Sequence, residues 1–275
     1  NEGIMDKIDR PPRNRHSTMQ MILLVWLIVL PATTLAGATL AKHSELDTAR
    51  PDFAAIRDVQ TKKSAFFDYL MPFVQGANAA IEAERARLLQ MEAINATGRA
   101  LSSAQQADLL RLAKQYRVPT AQYNRPTDKL IAQVLQRVDV VPASLILAQA
   151  ANESGWGTSR FARQANNYFG MWCYQAGCGL KPRQRDAGRS HEVKRFQHTR
   201  DSVVAYLHNL NTNRAYQSLR DLRQTTRELG APLRGVLLAE GLLAYSSRGA
   251  DYIKDIQAMI ITNDLEQLSF DVASQ

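Results

Sequence analysis

Cysteine is nearly absent from this 275-residue chain, which has only two. That excludes a small disulfide-built scaffold and a four-thiolate zinc site. Glycine (14) and proline (10) are sparse and the chain is 45% hydrophobic, so collagenous and largely disordered classes fall away as well. Internal repeats are missing, and so is a recognised nucleic-acid-binding motif; a nucleic-acid partner is not expected. The longest apolar run, Met21–Ala32, has 12 residues, whereas a membrane span needs about 20.

What is present begins with charge. Lys and Arg number 34 against 26 Asp and Glu, a net +8 that suits a polyanionic partner such as an anionic cell-wall polymer, or simply a solvated basic surface. Lys7, Arg10, Arg13 and Arg15 precede the apolar run, and Ala36-Gly37-Ala38 and Ala41 follow it. That order reads as an export signal over 1–41, with membrane attachment only if it is uncleaved. A polar linker is expected over 42–63 and an N-terminal helical region over 64–125. The main domain is expected over 126–265, with a short tail over 266–275.

Apolar residues at helical spacing predict a long amphipathic helix over 66–89, and Ser103 with Gln106 reads as a capping box opening the next. Pro142 fits the first turn of a helix over 143–152 that is apolar nearly all round, hence central and buried. Strands are expected at 168–174 and 193–197, and further helices near 201–211, 231–243 and 250–261. The fold class is α+β, mostly helical, with one small β insertion.

Glu153 closes the central helix in the stretch Asn152-Glu153-Ser154-Gly155-Trp156-Gly157. Burial and the negative end of the helix dipole both favour its protonated form, as a glycosidic general acid requires. The plainer alternative is an exposed carboxylate at an ordinary helix end. Asn166-Asn167-Tyr168-Phe169-Gly170 could offer sugar-facing amides and a stacking ring, or could be a turn into a half-buried strand. Cys173 and Cys178 enclose a tight loop, which in an exported chain reads as a disulfide; zinc would need two more ligands, His191 and His198 being the candidates. No metal or organic cofactor is expected. Lys181, Arg183, Arg185, Arg189, Lys194 and Arg195 make the same insertion basic, facing an anionic glycan or solvent.

Taken together, Glu153-Ser-Gly-Trp-Gly-x-Ser159 followed by Asn166-Asn167-x-Phe169-Gly170 resembles the glucosaminidase domain of glycoside hydrolase family seventy-three. More narrowly, the chain resembles that family's Bax-type members of Gram-negative bacteria. The likeness extends through Met71-Pro72, Asn78-Ala79-Ala80-Ile81, Arg137-Val138-Asp139 and the Cys173, Cys178 pair, and covers roughly residues 64–265. The resemblance implies a lysozyme-like fold and cleavage of β-1,4 glycan strands of peptidoglycan in the periplasm or cell envelope. It assigns Glu153 as the acid and Tyr252 as a second catalytic residue, with Tyr245, Asn167, Phe169 and Trp156 around the substrate. Some family members carry a further Glu within a Thr-Glu-Tyr-like stretch of the β insertion. That stretch is missing; Glu192 and Asp186 are the only acidic residues between Cys178 and Phe196, and Glu192 is read as a solvated strand residue, with activation of water by either carboxylate, or assistance by the substrate's own N-acetyl group, as the alternatives.

Overall fold

The computed structural model describes residues 50–121, 128–182 and 190–270. The export signal, the first part of the linker, Arg183, Arg185, Asp186, Arg189 and the end of the tail lie outside the described residues. No described helix is long and apolar enough to cross a membrane.

The first helix, α1 (Val59–Ala96), is longer than the periodicity predicts. Asp58 caps it, its carboxylate accepting from the Thr61 amide at 2.7 Å. The linker expectation therefore needs correcting at its C-terminal end, where chain is ordered and packed. Phe53 is buried and meets Phe66 and Tyr69 edge-on at 5.5 and 5.8 Å. Next comes α2 (Ser103–Gln115), opened one residue earlier than expected, by Ser102 and Gln105. Helix α3 spans Asp128–Arg137.

At the centre lies α4 (Ala143–Ser154), whose Leu145, Ile146, Leu147, Ala148, Ala150 and Ala151 are all fully buried. Pro142 is its N-cap rather than a first-turn residue, and left-handed Gly155 ends it. Helices α1, α9 (Ala250–Thr262) and α8 (Gly235–Leu238) pack around it. The remaining helices are α5 (Arg160–Ala165), α6 (Thr199–Thr212), α7 (Gln217–Glu228) and a terminal turn, α10 (Gln267–Phe270). In place of the expected helix over 231–243 there is α8 followed by a 3-10 turn, Ala239–Leu242.

The β insertion is a three-stranded antiparallel sheet in the order β1-β3-β2: β1 (Trp172–Cys173), β3 (Glu192–Lys194), β2 (Gly179–Leu180). Trp172 pairs with Val193 and Leu180 also with Val193, so β3 is the central strand. The strands are shorter than expected. Residues 168–171 form a turn instead, because the Asn167 side chain captures the backbone that a strand would pair.

Polar contacts tie α1 and its preceding arm to the rest of the molecule. Arg50 donates to the Ala162 and Arg163 carbonyls (3.2 and 3.0 Å) and to Asn166 Oδ1 (2.8 Å), placing a cation at the C-terminal end of α5. Asn78 donates to the Val141 carbonyl, and Arg85 to those of Leu135 and Val138. A buried carboxylate, Asp139, holds Arg227 through two hydrogen bonds of 2.9 and 3.2 Å, with Arg85 at 3.4 Å and Arg223 at 3.8 Å.

Candidate active site

The last turn of α4 carries Glu153 to the place where three elements meet. Helix α9 supplies Tyr252, whose hydroxyl donates to Glu153 Oε1 at 2.9 Å; Asn152 Nδ2 donates to the same oxygen at 3.2 Å. Among the described residues no hydrogen bond reaches Oε2. That oxygen lies toward Gly170, where even an added Cβ would stand 3.6 Å away. Burial raises the Glu153 pKa, and the two donated hydrogen bonds offset this only in part. The carboxyl group therefore keeps its proton to higher pH than an exposed carboxylate does, and Oε2 is the oxygen without a hydrogen-bond donor among the described residues.

Behind it runs a directed chain of buried groups. Tyr252 has one proton and gives it to Glu153, so its oxygen must accept from elsewhere; Gln149 Nε2 donates to it at 2.8 Å. The Gln149 carbonyl oxygen is then left to accept from the hydroxyl of Tyr206. Gln149 sits one helical turn before Glu153 on α4 and is fully buried. The sequence reading missed it and Tyr206, although spacing of four on a helix places Gln149 and Glu153 on one face. Rings close the floor: Tyr245 stacks on Tyr252 (5.4 Å, 10°) and Phe169 on Tyr206 (4.1 Å, 13°). Burial pushes the phenols of Tyr206, Tyr245 and Tyr252 well above their ordinary range, so all three stay protonated.

The other residues singled out in the sequence occupy different positions from those expected. Asn167 is 1% exposed and its amide is spent inside the protein. It donates to the Met171 and Lys194 carbonyls (2.9 and 2.8 Å) and accepts from the amides of Phe169 and Met171 (3.4 and 3.0 Å). It shapes the turn that ends at Gly170 rather than facing a sugar. Phe169 is 3% exposed, and its carbonyl accepts from the Tyr245 hydroxyl at 3.0 Å; its ring is floor, not platform. Trp156 packs edge-on against Phe66 and Phe67 of α1, with Lys63 over its ring, so its indole docks the N-terminal helix.

Glu192 corrects the expectation of a solvated strand residue. It is buried, and its two carboxylate oxygens accept from the amides of Gly177 and Gly179 (3.2 and 2.8 Å). Cys173 and Cys178 are joined in a disulfide around that loop. The two sulfurs and the Glu192 carboxylate cluster within 4.8 Å, but oxidised sulfurs and an amide-bound carboxylate offer no metal-ligand set.

Comparison with known proteins bears on the fold. A family model described as "Glucosaminidase: Mannosyl-glycoprotein endo-beta-N-acetylglucosaminidase" matches residues 128–265. The chain is 34% identical over 225 residues to Protein bax of Escherichia coli (strain K12), covering 81% of this chain and 77% of that protein. No solved structure matches.

Proposed function

Since the chain belongs to the glucosaminidase family, whose members are glycan-cleaving hydrolases, we propose that it is an exported endo-β-N-acetylglucosaminidase of peptidoglycan with Glu153 as its acid. One observation carries the reading: a carboxyl group whose pKa is raised by burial, with Tyr252 on one oxygen and, among the described residues, no hydrogen bond to the other. Glu153 Oε2 gives its proton to the glycosidic oxygen between N-acetylglucosamine and N-acetylmuramic acid as the C1–O bond breaks. Tyr252, bound to Oε1, stabilises the carboxylate so formed.

Glu192 is engaged by two backbone amides and is not available to activate water. In this reading the nucleophile that first meets C1 is the carbonyl oxygen of the substrate's own N-acetyl group. Water then attacks C1, its proton passes to the Glu153 carboxylate, and the acetamido group is restored. The product ends in a reducing N-acetylglucosamine.

The same engagement of Glu192 favours a second reading, a lytic transglycosylase of this fold, in which Glu153 instead protonates the oxygen between C1 of muramic acid and the next N-acetylglucosamine, and the 6-hydroxyl of that muramic acid closes on its own C1 as the bond breaks, its proton returning to Glu153. Mass spectrometry of borohydride-reduced muropeptides from digested sacculi separates the two. Reduced N-acetylglucosamine ends that vanish with Glu153→Gln support the glucosaminidase; anhydro-muramic ends support the transglycosylase. Sacculus binding with no new ends points to a non-hydrolytic wall-binding protein.

A further inference from the structure

Two large aromatic residues beside the candidate active site have no place in its floor. Trp172 is 52% exposed and Tyr174 71% exposed, on and just after β1. Apolar residues exposed singly are ordinary, but two large aromatics exposed side by side on one short segment make a patch that a partner can cover. The orientation of the indole is fixed. The His191 ring lies parallel to it at 4.0 Å and 18°, and β1 is pinned by its register with β3 and by the Lys194 amide donating to the Met171 carbonyl at 2.8 Å. With one face of the indole covered by imidazole and half the residue still exposed, the open part is its second face.

Trp172 also follows closely on the segment that borders the acid. Gly170 borders Glu153 Oε2, and Trp172 follows two residues later; chain geometry limits the separation of their Cα atoms to about 7 Å. The Asn167 amide, bound to the Met171 carbonyl, fixes the turn between them. Glu153, the turn and the start of β1 are thus contiguous.

We propose that Trp172, backed by His191 and extended by Tyr174, is a sugar-stacking subsite that seats one pyranose ring of the glycan strand beside Glu153. The proposal rests on the glycan-cleaving reading above. A pyranose presents a face of axial C–H groups with partial positive charge, which an indole's electron-rich face attracts while both are withdrawn from water. Neither Trp156 nor Phe169 can do this, because their rings are already packed.

The test uses the chain with Glu153→Gln, so that ligand is not consumed, and chitotetraose as the probe. Titration read by tryptophan fluorescence should show a change on binding that is lost in Glu153→Gln/Trp172→Phe. Calorimetry should show affinity weakened about tenfold or more by Trp172→Ala. Leu229→Ala, another exposed apolar position, should leave it unchanged. Circular dichroism and thermal unfolding of each variant verify that the fold is intact.

Equal affinity of the Trp172→Ala and parent proteins for chitotetraose would overturn the subsite while leaving the hydrolase reading standing. Conversely, Trp172-dependent binding by a protein that releases no ends from sacculi would uphold the subsite and reject the hydrolase.

Discussion

Gly157→Ala is the sharpest single perturbation of the loop that follows Glu153. Gly157 has φ +75°, and an added Cβ would stand 2.4 Å from Cδ2 and 2.8 Å from Cε2 of the Phe53 ring. The ring is itself buried against Phe66 and Tyr69, so it has nowhere to retreat. Two costs add. The left-handed backbone costs about 1–2 kcal/mol for a residue with a Cβ, and forcing a carbon into a filled core costs about 1–3 kcal/mol.

Gly98→Ala separates these costs, since Gly98 has φ +74° and nothing within 4 Å of the new Cβ. The difference between the variants should be the clash alone, about 1–3 kcal/mol. For a chain of this size that is a gap in Tm of roughly 2–12 °C by thermal unfolding. In a Phe53→Ala background the clash has no partner, and Gly157→Ala should then cost no more than Gly98→Ala. An undiminished cost in that background, or equal losses for the two single variants, would refute the packing of the N-terminal arm under the loop that follows Glu153.

Tyr252→Phe removes a hydrogen bond that favours the ionised form of Glu153, so the carboxyl pKa rises further above its ordinary value. Activity that requires protonated Glu153 persists below that pKa and is lost as pH rises through it. The alkaline limb of the pH–rate profile on sacculi should move to higher pH, and a limb that stays or moves down contradicts the assignment. Asp139→Leu leaves the buried Arg223 and its neighbours Arg85 and Arg227 without their carboxylate, and should cost about 3–5 kcal/mol in urea unfolding. Reducing Cys173–Cys178 removes a short-loop constraint worth about 2 kcal/mol by chain entropy. Faster amide exchange should be confined to the β insertion around the disulfide; exchange spreading into α4 would mean that the insertion supports the core.

The central helix was legible because α4 is apolar on every side, a pattern only a buried helix sustains. Glu153 stood out because it ends that helix within a dense motif. Helix α7 escaped notice because its core-facing positions include Arg220, Arg223 and Thr226, so the expected apolar stripe is missing. Those arginines are buried because carbonyls of other segments receive them: Leu210 and Asn213 for Arg220, and Gln136, Asp139 and Val140 for Arg223. Residues 231–243 looked helical by composition, yet Gly241 packs where a Cβ would meet the Leu219 Cα at 2.3 Å, and a regular helix gives way to a 3-10 turn there. Glu192 was misread because its partners are backbone amides, to which side-chain patterns are blind. Trp172 and Tyr174 stood in the sequence as strand residues; their exposure is a property of the folded sheet.

The directed hydrogen bonds behind Glu153 also govern how the proposed acid is recharged. Tyr252 keeps its proton because burial raises its pKa, and the Gln149 amide beyond it has no proton to pass along. The interior is thus a dead end for proton traffic, and a Glu153 that has spent its proton can be rearmed only through Oε2. Water, or a sugar hydroxyl, must reach that oxygen from the side that Gly170 borders. A strand lying over Oε2 with neither in place holds the enzyme discharged, so each cut is coupled to the wetting of that side that follows it.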